Sequence, residues 1–206
     1  LAAFKHVGIA ETQSRECIMS NTIGSLNLLE LTAEYGLDFN IGISTDKAAI
    51  VSGVYGASKF LMEALYRQFE TNFPKTKFRI VRYGNVLYST GSVLCKWKDL
   101  LQKGETPVIT EPKATRFFWT IDQAVDLIWS CMHYASDSSP YVPDMKSMSM
   151  GDLLQAMINK YAKDKDIKPE VIGLGKGENL HEKILADGLS SEDAKKFTIK
   201  QIMELI

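Results

Sequence analysis

Residues 44–59 read Ser-Thr-Asp-Lys-Ala-Ala-Ile-Val-Ser-Gly-Val-Tyr-Gly-Ala-Ser-Lys, and this stretch joins an apolar run to a segment of helical periodicity. The run Asp38 to Ile43 predicts a buried strand, and Val54 to Phe73 predicts a helix. The residues Thr45 to Lys47 therefore follow the carboxyl end of a strand, which is the edge where ligands bind in an open α/β sheet. The stretch predicts an α/β fold with a site at this edge.

Tyr55 and Lys59 are four residues apart on the predicted helix, so both side chains lie on one face. An ammonium beside a phenol lowers the pKa of the phenol and can anchor a sugar hydroxyl, so the pair predicts an acid/base for hydride transfer. Such a pair on a helix surface is more often only solvated. The strand end and the short loop before Tyr55 favour the catalytic interpretation.

The composition is that of an ordinary globular protein. The chain has 206 residues, of which 45% are hydrophobic, 24 are basic and 25 are acidic. This length allows one sizeable core and a small second lobe. The balanced charge gives no reason to expect nucleic-acid or bulk membrane binding. The sequence has no apolar run long enough to span a bilayer and no signal peptide.

The cysteines and histidines are few and widely spaced. They are Cys17, Cys95, Cys131, His6, His133 and His181. An odd number of distant cysteines argues against a disulfide framework or a metal knuckle and is typical of a reducing cytoplasm. We predict no metal site.

Hydrophobic periodicity predicts the remaining helices and one further strand. The predicted helices are Ser14 to Tyr35, Val93 to Gln102, Asp122 to Tyr134, Gly151 to Tyr161 and Thr198 to Ile206, and the strand is Phe78 to Val86. Ser14 is a candidate helix cap, and Gly36 and Gly104 are candidate helix stops. Four apolar residues at helical spacing are predicted to pack in the core. They are Ala124, Val125, Ile128 and Trp129.

The strand-end tripeptide and Tyr-Gly-Ala-Ser-Lys at residues 55–59 resemble the extended short-chain dehydrogenase/reductases. Within that superfamily the sequence is similar to the inverting UDP-N-acetylglucosamine 4,6-dehydratases and related polysaccharide-biosynthesis proteins, which carry Ser-Thr-Asp-Lys-Ala followed by Tyr-Gly-Ala-Thr-Lys. The resemblance covers nearly the whole chain. Further matches are Ala2, Ala3, Lys5, His6, Val7, Asn21, Gly24, Arg82 to Val86, Thr115 to Phe117, Val142, Pro143, Ser147, Met148, Asp152, Leu153 and Gly177 to Glu182.

The resemblance implies a partial Rossmann-like, doubly wound parallel sheet with a small α/β substrate-binding lobe. Residues 1–90 would form the carboxyl-terminal half of the NAD(P)-binding domain. Residues 91–206 would form mainly the nucleotide-sugar lobe, with some segments returning to the Rossmann domain. The glycine-rich fingerprint that receives a dinucleotide pyrophosphate is absent from this sequence. We therefore expect the first half of the cofactor domain to precede Leu1.

The same resemblance implies a lyase that dehydrates a nucleotide-activated hexosamine, UDP-N-acetylglucosamine being the best match, with inversion at C5. The cofactor would be NADP, with NAD as an alternative. Tyr55 and Lys59, with Thr45, would serve oxidation at C4. Asp46 would be the acid toward the departing C6 hydroxyl, and Lys47 the base at C5. A lysine acts as a base only when its pKa falls well below ~10.4, and we expect burial beside Lys59 to lower it.

The resemblance also implies the binding residues and the setting. Cofactor-binding residues would be Ala2, Ala3, Lys5, Asn21, Ser44, Tyr55, Lys59 and Tyr83. Substrate-binding residues would be Lys5, His6, Asn85, Arg116 and Glu178. The protein would be a cytoplasmic homo-oligomer that binds a nucleotide sugar and no nucleic acid.

Two departures from the family pattern leave alternatives open. The family's Gly-Ser-Arg-Gly-Ser is replaced by residues 88–92, which lack the arginine. The arginine before the family's Gly-Glu-Lys is Gly175, and the adjacent Lys176 cannot copy a bidentate fork. A nucleotide-sugar 4-epimerase would need Thr45 and the Tyr-Lys pair but no eliminating acid and base. A degenerate sugar-nucleotide-binding module would need none of these groups for catalysis.

Overall fold

The computed structural model describes residues 3–163, 166–175 and 177–206. The helices are α1 (Val7–Thr12), α2 (Ser14–Ile18), α3 (Gly24–Glu34), α4 (Val54–Asn72), α5 (Val93–Lys103), α6 (Ile121–Tyr134), α7 (Met150–Tyr161) and α8 (Ile199–Leu205). The strands are β1 (Phe39–Thr45), β2 (Lys77–Tyr83), β3 (Asn85–Val86), β4 (Val108–Ile109), β5 (Thr115–Trp119), β6 (Pro140–Tyr141), β7 (Ser147–Ser149) and β8 (Glu170–Val171). A π-helical turn, Met19–Ile23, joins α2 to α3, and a 3₁₀ turn, Asp46–Ala48, follows β1.

A parallel sheet with strand order β1-β2-β6 carries the site, and helices cover both of its faces. Alternate residues of β2 point to opposite faces, as strand geometry requires. Phe78 and Ile80 pack against side chains of α3 and α4, whereas Val81 packs against α6. The predicted α/β class and doubly wound parallel arrangement are therefore confirmed.

The predicted strand 78–86 is in fact two strands, with a break at Gly84. A Cβ at this position would lie 2.5 Å from the carbonyl oxygen of Phe117, so only glycine lets the chain pass so close to β5. After the break, β3 leaves the first sheet and pairs with β5, in a second sheet of order β3-β5-β7. Tyr83 and Asn85 consequently belong to different sheets, although they are two residues apart.

The predicted helix from Ser14 to Tyr35 is continuous but not uniformly α-helical, because the π turn interrupts it. The candidate cap Ser14 is not the N-cap residue of this helix. The N-cap residue is Gln13, and the Ser14 hydroxyl donates to the carbonyl of Ala10 at 3.2 Å, which ties α2 to α1. Gly36 has φ of +62° and ends the helix in the left-handed region, as predicted.

The prediction for α6 is wrong at two of its four core residues. Val125 and Trp129 are 45% and 57% exposed, while Ala124 is buried. The stripe that packs toward the sheet runs instead through Leu127 and Cys131, three and seven residues after Ala124. Because α6 is apolar over much of its circumference, periodicity alone could not tell which stripe faces the sheet.

The largest hydrophobic core lies away from the parallel sheet, among α5, α7 and α8. Its fully buried side chains include Trp97, Leu101, Met148, Leu153, Met157 and Ile202. Both α6 and β6 come from the later half of the sequence yet pack on the parallel sheet. A domain boundary between residues 90 and 91 stays a prediction. In the described ranges, none of the helices is both long and apolar enough to cross a membrane.

Candidate active site

The carboxyl end of β1 runs directly into the 3₁₀ turn and brings three polar side chains together. Thr45 caps the turn, since its Oγ1 accepts from the backbone N of Lys47 at 3.4 Å, and it also donates to Asp46 Oδ1 at 2.8 Å. Asp46 is 1% exposed, and its Oδ2 makes no hydrogen bond among the described residues. A buried oxygen without a donor is costly. This oxygen therefore keeps acceptor capacity that no described residue fills.

The Lys47 ammonium lies between two carboxylates. Its Nζ is 3.0 Å from Asp46 Oδ1 and 3.7 Å from Glu182 Oε1. Burial lowers the pKa of Lys47, but the two negative charges together outweigh burial and raise that pKa above its ordinary value. Our expectation that burial beside Lys59 would lower the pKa is therefore wrong. Asp46, adjacent in the sequence, makes the larger contribution, and Glu182 from a distant part of the chain adds to it.

Tyr55 stands at the start of α4, close to the 3₁₀ turn. The next residue, Gly56, packs against the backbone of Lys47, and a Cβ there would overlap the Lys47 carbonyl. Burial raises the pKa of Tyr55, while the Lys47 charge and hydrogen bonding to Thr45 act in the opposite direction. The predicted lowering of this pKa by Lys59 is thus wrong, because burial wins and the nearby cation is Lys47.

Lys59 is 6% exposed one turn further along α4. Its Nζ donates to the carbonyl of Ile43 at 2.8 Å, which fixes the ammonium under the end of β1. Burial lowers the pKa of Lys59 to about 8. Lys59 is therefore a cation that β1 and α4 hold in place and that loses its proton more easily than an ordinary lysine.

Most of the residues predicted to bind the cofactor surround one cavity of about 790 Å³. Those on its wall are Ala3, Lys5, Ser44, Tyr55, Lys59 and Tyr83, together with Thr45 and Lys47. Asn21 does not line this cavity. It is buried, and its side-chain amide bonds both backbone groups of Phe4 and the Ser58 hydroxyl, so it joins the loop before α1 to α4. Ala2 lies outside the described residues.

Two hydroxyls on this wall are already engaged by the protein. Ser44 Oγ donates to Glu63 Oε1 at 2.6 Å, and Tyr83 Oη donates to the carbonyl of Ala124 at 2.6 Å. Burial raises the pKa of Tyr83 to about 12. These two side chains shape the cavity wall, while Tyr55 and Lys59, together with Lys5 and Lys47, are ionisable groups on it.

All five residues predicted to bind the substrate line a second cavity of about 320 Å³. They are Lys5, His6, Asn85, Arg116 and Glu178. Lys47 lies on the wall of both cavities, so the two spaces meet at the strand end. The structure therefore brings the predicted substrate residues next to the predicted base, Lys47.

Within the second cavity, several polar groups bond to the protein. Lys5 Nζ donates to the carbonyl of Thr90 at 2.7 Å, and Glu178 Oε2 accepts from the backbone N of Gly175 at 3.0 Å. Arg116 is 9% exposed, and its guanidinium donates to the carbonyls of Thr115, Leu180 and Asn179 at 2.8, 3.0 and 2.7 Å. Arg116 thus binds the backbone of the 179–180 segment. Lys176, the possible replacement for a family arginine, lies outside the described residues.

Three buried charged residues at the site have no role in our sequence analysis. They are Glu63, Arg82 and Glu182. Glu63 could have been found, because it follows Tyr55 and Lys59 at the same four-residue spacing on α4. Arg82 is one residue in a strand and gives no such pattern. Glu182 ends a motif shared with the family, but the motif alone does not reveal its contact with Lys47.

Within residues 3–163, 166–175 and 177–206, no group of three or more His, Cys, Asp or Glu side chains is placed to hold a metal ion. The ionisable groups of the site make hydrogen bonds and ion pairs with one another and with the protein backbone. They are Asp46, Lys47, Tyr55, Lys59, Arg116 and Glu182.

Comparison with known proteins agrees with this geometry. A family model described as polysaccharide biosynthesis protein matches residues 1–205. The chain belongs to this family. A relative from Campylobacter jejuni, named UDP-N-acetylglucosamine 4,6-dehydratase (inverting), is 34% identical over 197 residues, which are 94% of this chain and 56% of that protein. An uncharacterized membrane protein of Methanocaldococcus jannaschii is 35% identical over 193 residues, 90% of this chain and 58% of that protein.

The chain thus spans somewhat more than half the length of these two relatives. Among solved structures, the X-ray structure of Pen from Bacillus thuringiensis superposes with a TM-score of 0.93 at 25% identity, covering 100% of this chain and 72% of that one. The predicted membership of the polysaccharide-biosynthesis group is confirmed.

Proposed function

We propose that the protein dehydrates a nucleotide-activated hexosamine, most suitably UDP-N-acetylglucosamine, to a 4-keto-6-deoxy sugar with inversion at C5. The observation that carries the proposal is the Asp46–Lys47 pair, with 3.0 Å between Oδ1 and Nζ, in which Lys47 lines both cavities. Eliminating water from C5 and C6 needs a base and an acid at adjacent atoms of the sugar, and this pair supplies both types of group. The named function of the Campylobacter relative supports the same reaction.

The protons of this pair balance without outside help. In the resting pair Lys47 is an ammonium that donates to Asp46 Oδ1 at 3.0 Å, because Asp46 and Glu182 raise the pKa of Lys47. Lys47 therefore becomes a base only after it has passed a proton to Asp46. Transfer of one proton across their hydrogen bond gives a carboxylic acid and a neutral amine. The amine of Lys47 then takes the C5 proton, and Asp46 gives its proton to the C6 hydroxyl, which leaves as water. The pair returns to its resting charges, and inversion requires that C5 later take a proton from water on the face opposite Lys47.

Tyr55, Lys59 and Thr45 are assigned to the C4 hydroxyl, whose oxidation makes the C5 proton acidic. Thr45 and Tyr55 lie beside the Asp46–Lys47 pair, so one sugar ring can reach both sets of groups. Lys59 is fixed by Ile43 below Tyr55, where an ammonium can bind ribose hydroxyls. A 4-epimerase would use the same three residues, but it would have no need of the Asp46–Lys47 pair.

The larger cavity fits the nicotinamide end of NADP, the cofactor that we assign. Its wall offers apolar side chains, including Ile41, Ile43 and Ile121, and the Tyr55 hydroxyl and Lys59 ammonium as polar anchors. Ala3, Lys5, Asn21, Ser44 and Tyr83 would shape or support this site. When bound, the cofactor would accept hydride from C4 and return it at C6.

The smaller cavity is assigned to the nucleotide and its diphosphate. Lys5 at its mouth is exposed and can turn from the Thr90 carbonyl to a phosphate. Asn85, His6 and Glu178 would contact the sugar or the ribose. Arg116 adds positive charge from the cavity wall while it binds the 179–180 segment. Assembly into a homo-oligomer stays an expectation of the resemblance.

The test is the product of the complete gene product with UDP-N-acetylglucosamine in deuterated water, identified by NMR. We expect a 4-keto-6-deoxy sugar of L-arabino configuration with deuterium at C5. A D-xylo product would refute inversion, and a C4 epimer would refute dehydration. Purified protein with neither turnover nor a bound nicotinamide nucleotide would favour a non-catalytic binding module.

A Tyr55→Phe variant tests the assignment of the hydride-transfer acid/base. It removes one hydroxyl, so turnover should be abolished while the fold and the bound nucleotide are kept. Circular dichroism and the absorbance of the purified variant check the last two points. Wild-type turnover in this variant would contradict the role of Tyr55.

A further inference from the structure

Glu182 reaches the Asp46–Lys47 pair from a segment more than a hundred residues later in the chain. It is 3% exposed, and its carboxylate meets three groups. Oε1 lies 3.7 Å from Lys47 Nζ and 3.8 Å from Arg116 Nε, and Oε2 accepts from Asn179 Nδ2 at 3.2 Å. Carboxylates are rarely buried unless cations or donors compensate them. Here the compensating cations are Arg116 and the proposed catalytic lysine, Lys47.

The backbone around Glu182 is held on both sides. Its own N–H donates to Ser191 Oγ at 2.8 Å, and its carbonyl accepts from Ser191 N at 2.7 Å. Two residues later, the carbonyl of Ile184 accepts from Arg82 Nη1 at 2.8 Å. On the other side, Arg116 binds the carbonyls of residues 179 and 180. Contacts made far from Lys47 therefore determine where the carboxylate stands.

The charges around Lys47 are unbalanced without Glu182. Asp46 is the negative group on its own turn, Arg116 is positive on β5, and Tyr55 faces it from α4. Three other ionisable residues line the same cavity, and they are Lys5, His6 and Glu178. Burial and Arg116 both favour loss of the Lys47 proton, whereas Asp46 and Glu182 favour its retention. Glu182 is the second carboxylate in this balance, and burial raises its own pKa while Lys47 and Arg116 act in the opposite direction.

We propose that Glu182 is a positioning residue of the elimination, whose carboxylate holds the Lys47 ammonium against Asp46 and keeps a proton on that pair. The inference rests on the proposed function, because the pair needs that proton. With one proton the pair can become an acid and an amine. Without it, Asp46 is a carboxylate, Lys47 is an amine, and no acid remains for the C6 hydroxyl. Glu182 therefore extends, toward higher pH, the pH range in which the pair can act as acid and base.

The direct test measures the titration of Lys47 without any turnover. The complete gene product is labelled with acetic anhydride at a series of pH values, and mass spectrometry gives the extent of labelling at each lysine. In Glu182→Gln, which keeps the shape and the Asn179 contact, the midpoint for Lys47 should fall by about one to three pH units, as expected for a charge at this distance. Lys103, exposed and paired with Asp99, is the internal reference.

Two further variants control the measurement. Glu192→Gln removes an exposed carboxylate from the same segment and should leave the Lys47 midpoint unchanged. Glu182→Asp keeps the charge but shortens its reach, so it should give a smaller fall than Glu182→Gln. If Glu182→Gln loses its cooperative unfolding transition, Glu182→Asp carries the test. An unchanged Lys47 midpoint in the folded variant overturns the inference.

The kinetic readout is the pH profile of dehydration. In Glu182→Gln the pair loses its proton at lower pH, so the pH at which kcat falls on the alkaline side should decrease by as much as the Lys47 labelling midpoint. The KM for the nucleotide sugar should change less than about threefold. A merely structural role would lower kcat at all pH values and leave the limb in place. A lowered labelling midpoint in a protein without dehydratase activity would refute the proposed function but not the contact. Normal dehydration with an unchanged midpoint would refute only the inference.

Discussion

Two carboxylate–cation pairs lie near the end of β1, and they differ in how many of their polar atoms are hydrogen-bonded. Glu63 and Arg82 form a bidentate pair with two contacts of 2.7 Å, and Ser44 and the Ile184 carbonyl complete it. Asp46 and Lys47 share one contact of 3.0 Å, and Lys47 is 17% exposed. Asp46 Oδ2 has no partner in the described part of the chain.

This difference separates a pair that stabilises the fold from a pair that can take part in the proposed reaction. A planar guanidinium matches both oxygens of Glu63, so that pair has no hydrogen-bonding capacity left for a substrate. The ammonium of Lys47 is a point charge on a flexible stem, and its pKa responds to its neighbours. The pair that can change its protonation is the one left incomplete at the cavity. The complete pair below it holds β2, α4 and the Glu182 segment in place.

The largest expected effect is on catalysis, from Lys47→Ala. Removing the base should slow elimination by roughly 10²–10⁴-fold. Oxidation at C4 should continue, so reduced nicotinamide should accumulate and be visible by its near-ultraviolet absorbance. The variant should also unfold more easily, because it leaves the buried Asp46 and Glu182 carboxylates without the Lys47 cation, so circular dichroism checks its fold. Elimination at the wild-type rate would contradict the assignment of the base.

The complete pair should show the opposite behaviour in Glu63→Ala. This change leaves the Arg82 guanidinium buried without its partner, and breaking such a pair costs about 3–5 kcal/mol. Urea unfolding monitored by circular dichroism measures the loss. Arg67→Ala is the matched control, because Arg67 reaches the same carboxylate at 3.8 Å but is 43% exposed, so about 1 kcal/mol or less is expected. Equal losses in both variants would refute the distinction between the pairs.

Lys59 allows a smaller, pH-dependent test. Its pKa falls from 10.5 in the unfolded chain to about 8 in the folded one, so the folded state binds the proton less tightly. This destabilisation is complete below pH 8 and disappears as pH rises toward 10.5. Lys59→Met should therefore unfold with a free energy about 1–3 kcal/mol higher at pH 7, after allowance for the lost Ile43 hydrogen bond. Urea titrations at several pH values should show the advantage shrinking above pH 8.

A Lys59→Met variant less stable than wild type at pH 7, or an advantage constant to pH 10.5, would contradict the lowered pKa. The variant should also lose turnover, because Lys59 is assigned to the cofactor ribose. If the variant gains stability and loses turnover, Lys59, like Lys47, serves the proposed reaction rather than the stability of the fold.

The sequence by itself determined the elements that depend on local pattern. The buried run before Ser44, the helical period after Gly53 and the left-handed glycine at residue 36 all appear where the pattern predicts them. The grouping of Thr45, Asp46 and Lys47 was also predictable, because three consecutive residues at a strand end share one edge of a sheet. The Tyr55 and Lys59 pair was equally predictable from helix geometry.

Only the tertiary structure decided the electrostatics of that edge. The pKa of Lys47 rises rather than falls because the adjacent Asp46 and the distant Glu182 together outweigh burial, and contacts with Arg116, Arg82 and Ser191 bring Glu182 to 3.7 Å. The sequence also could not determine which face of α6 packs on the sheet, because this helix is apolar on several sides, and the prediction was wrong for Val125 and Trp129. Local periodicity reports which residues can be buried, whereas charge balance at a site depends on which distant segments arrive there.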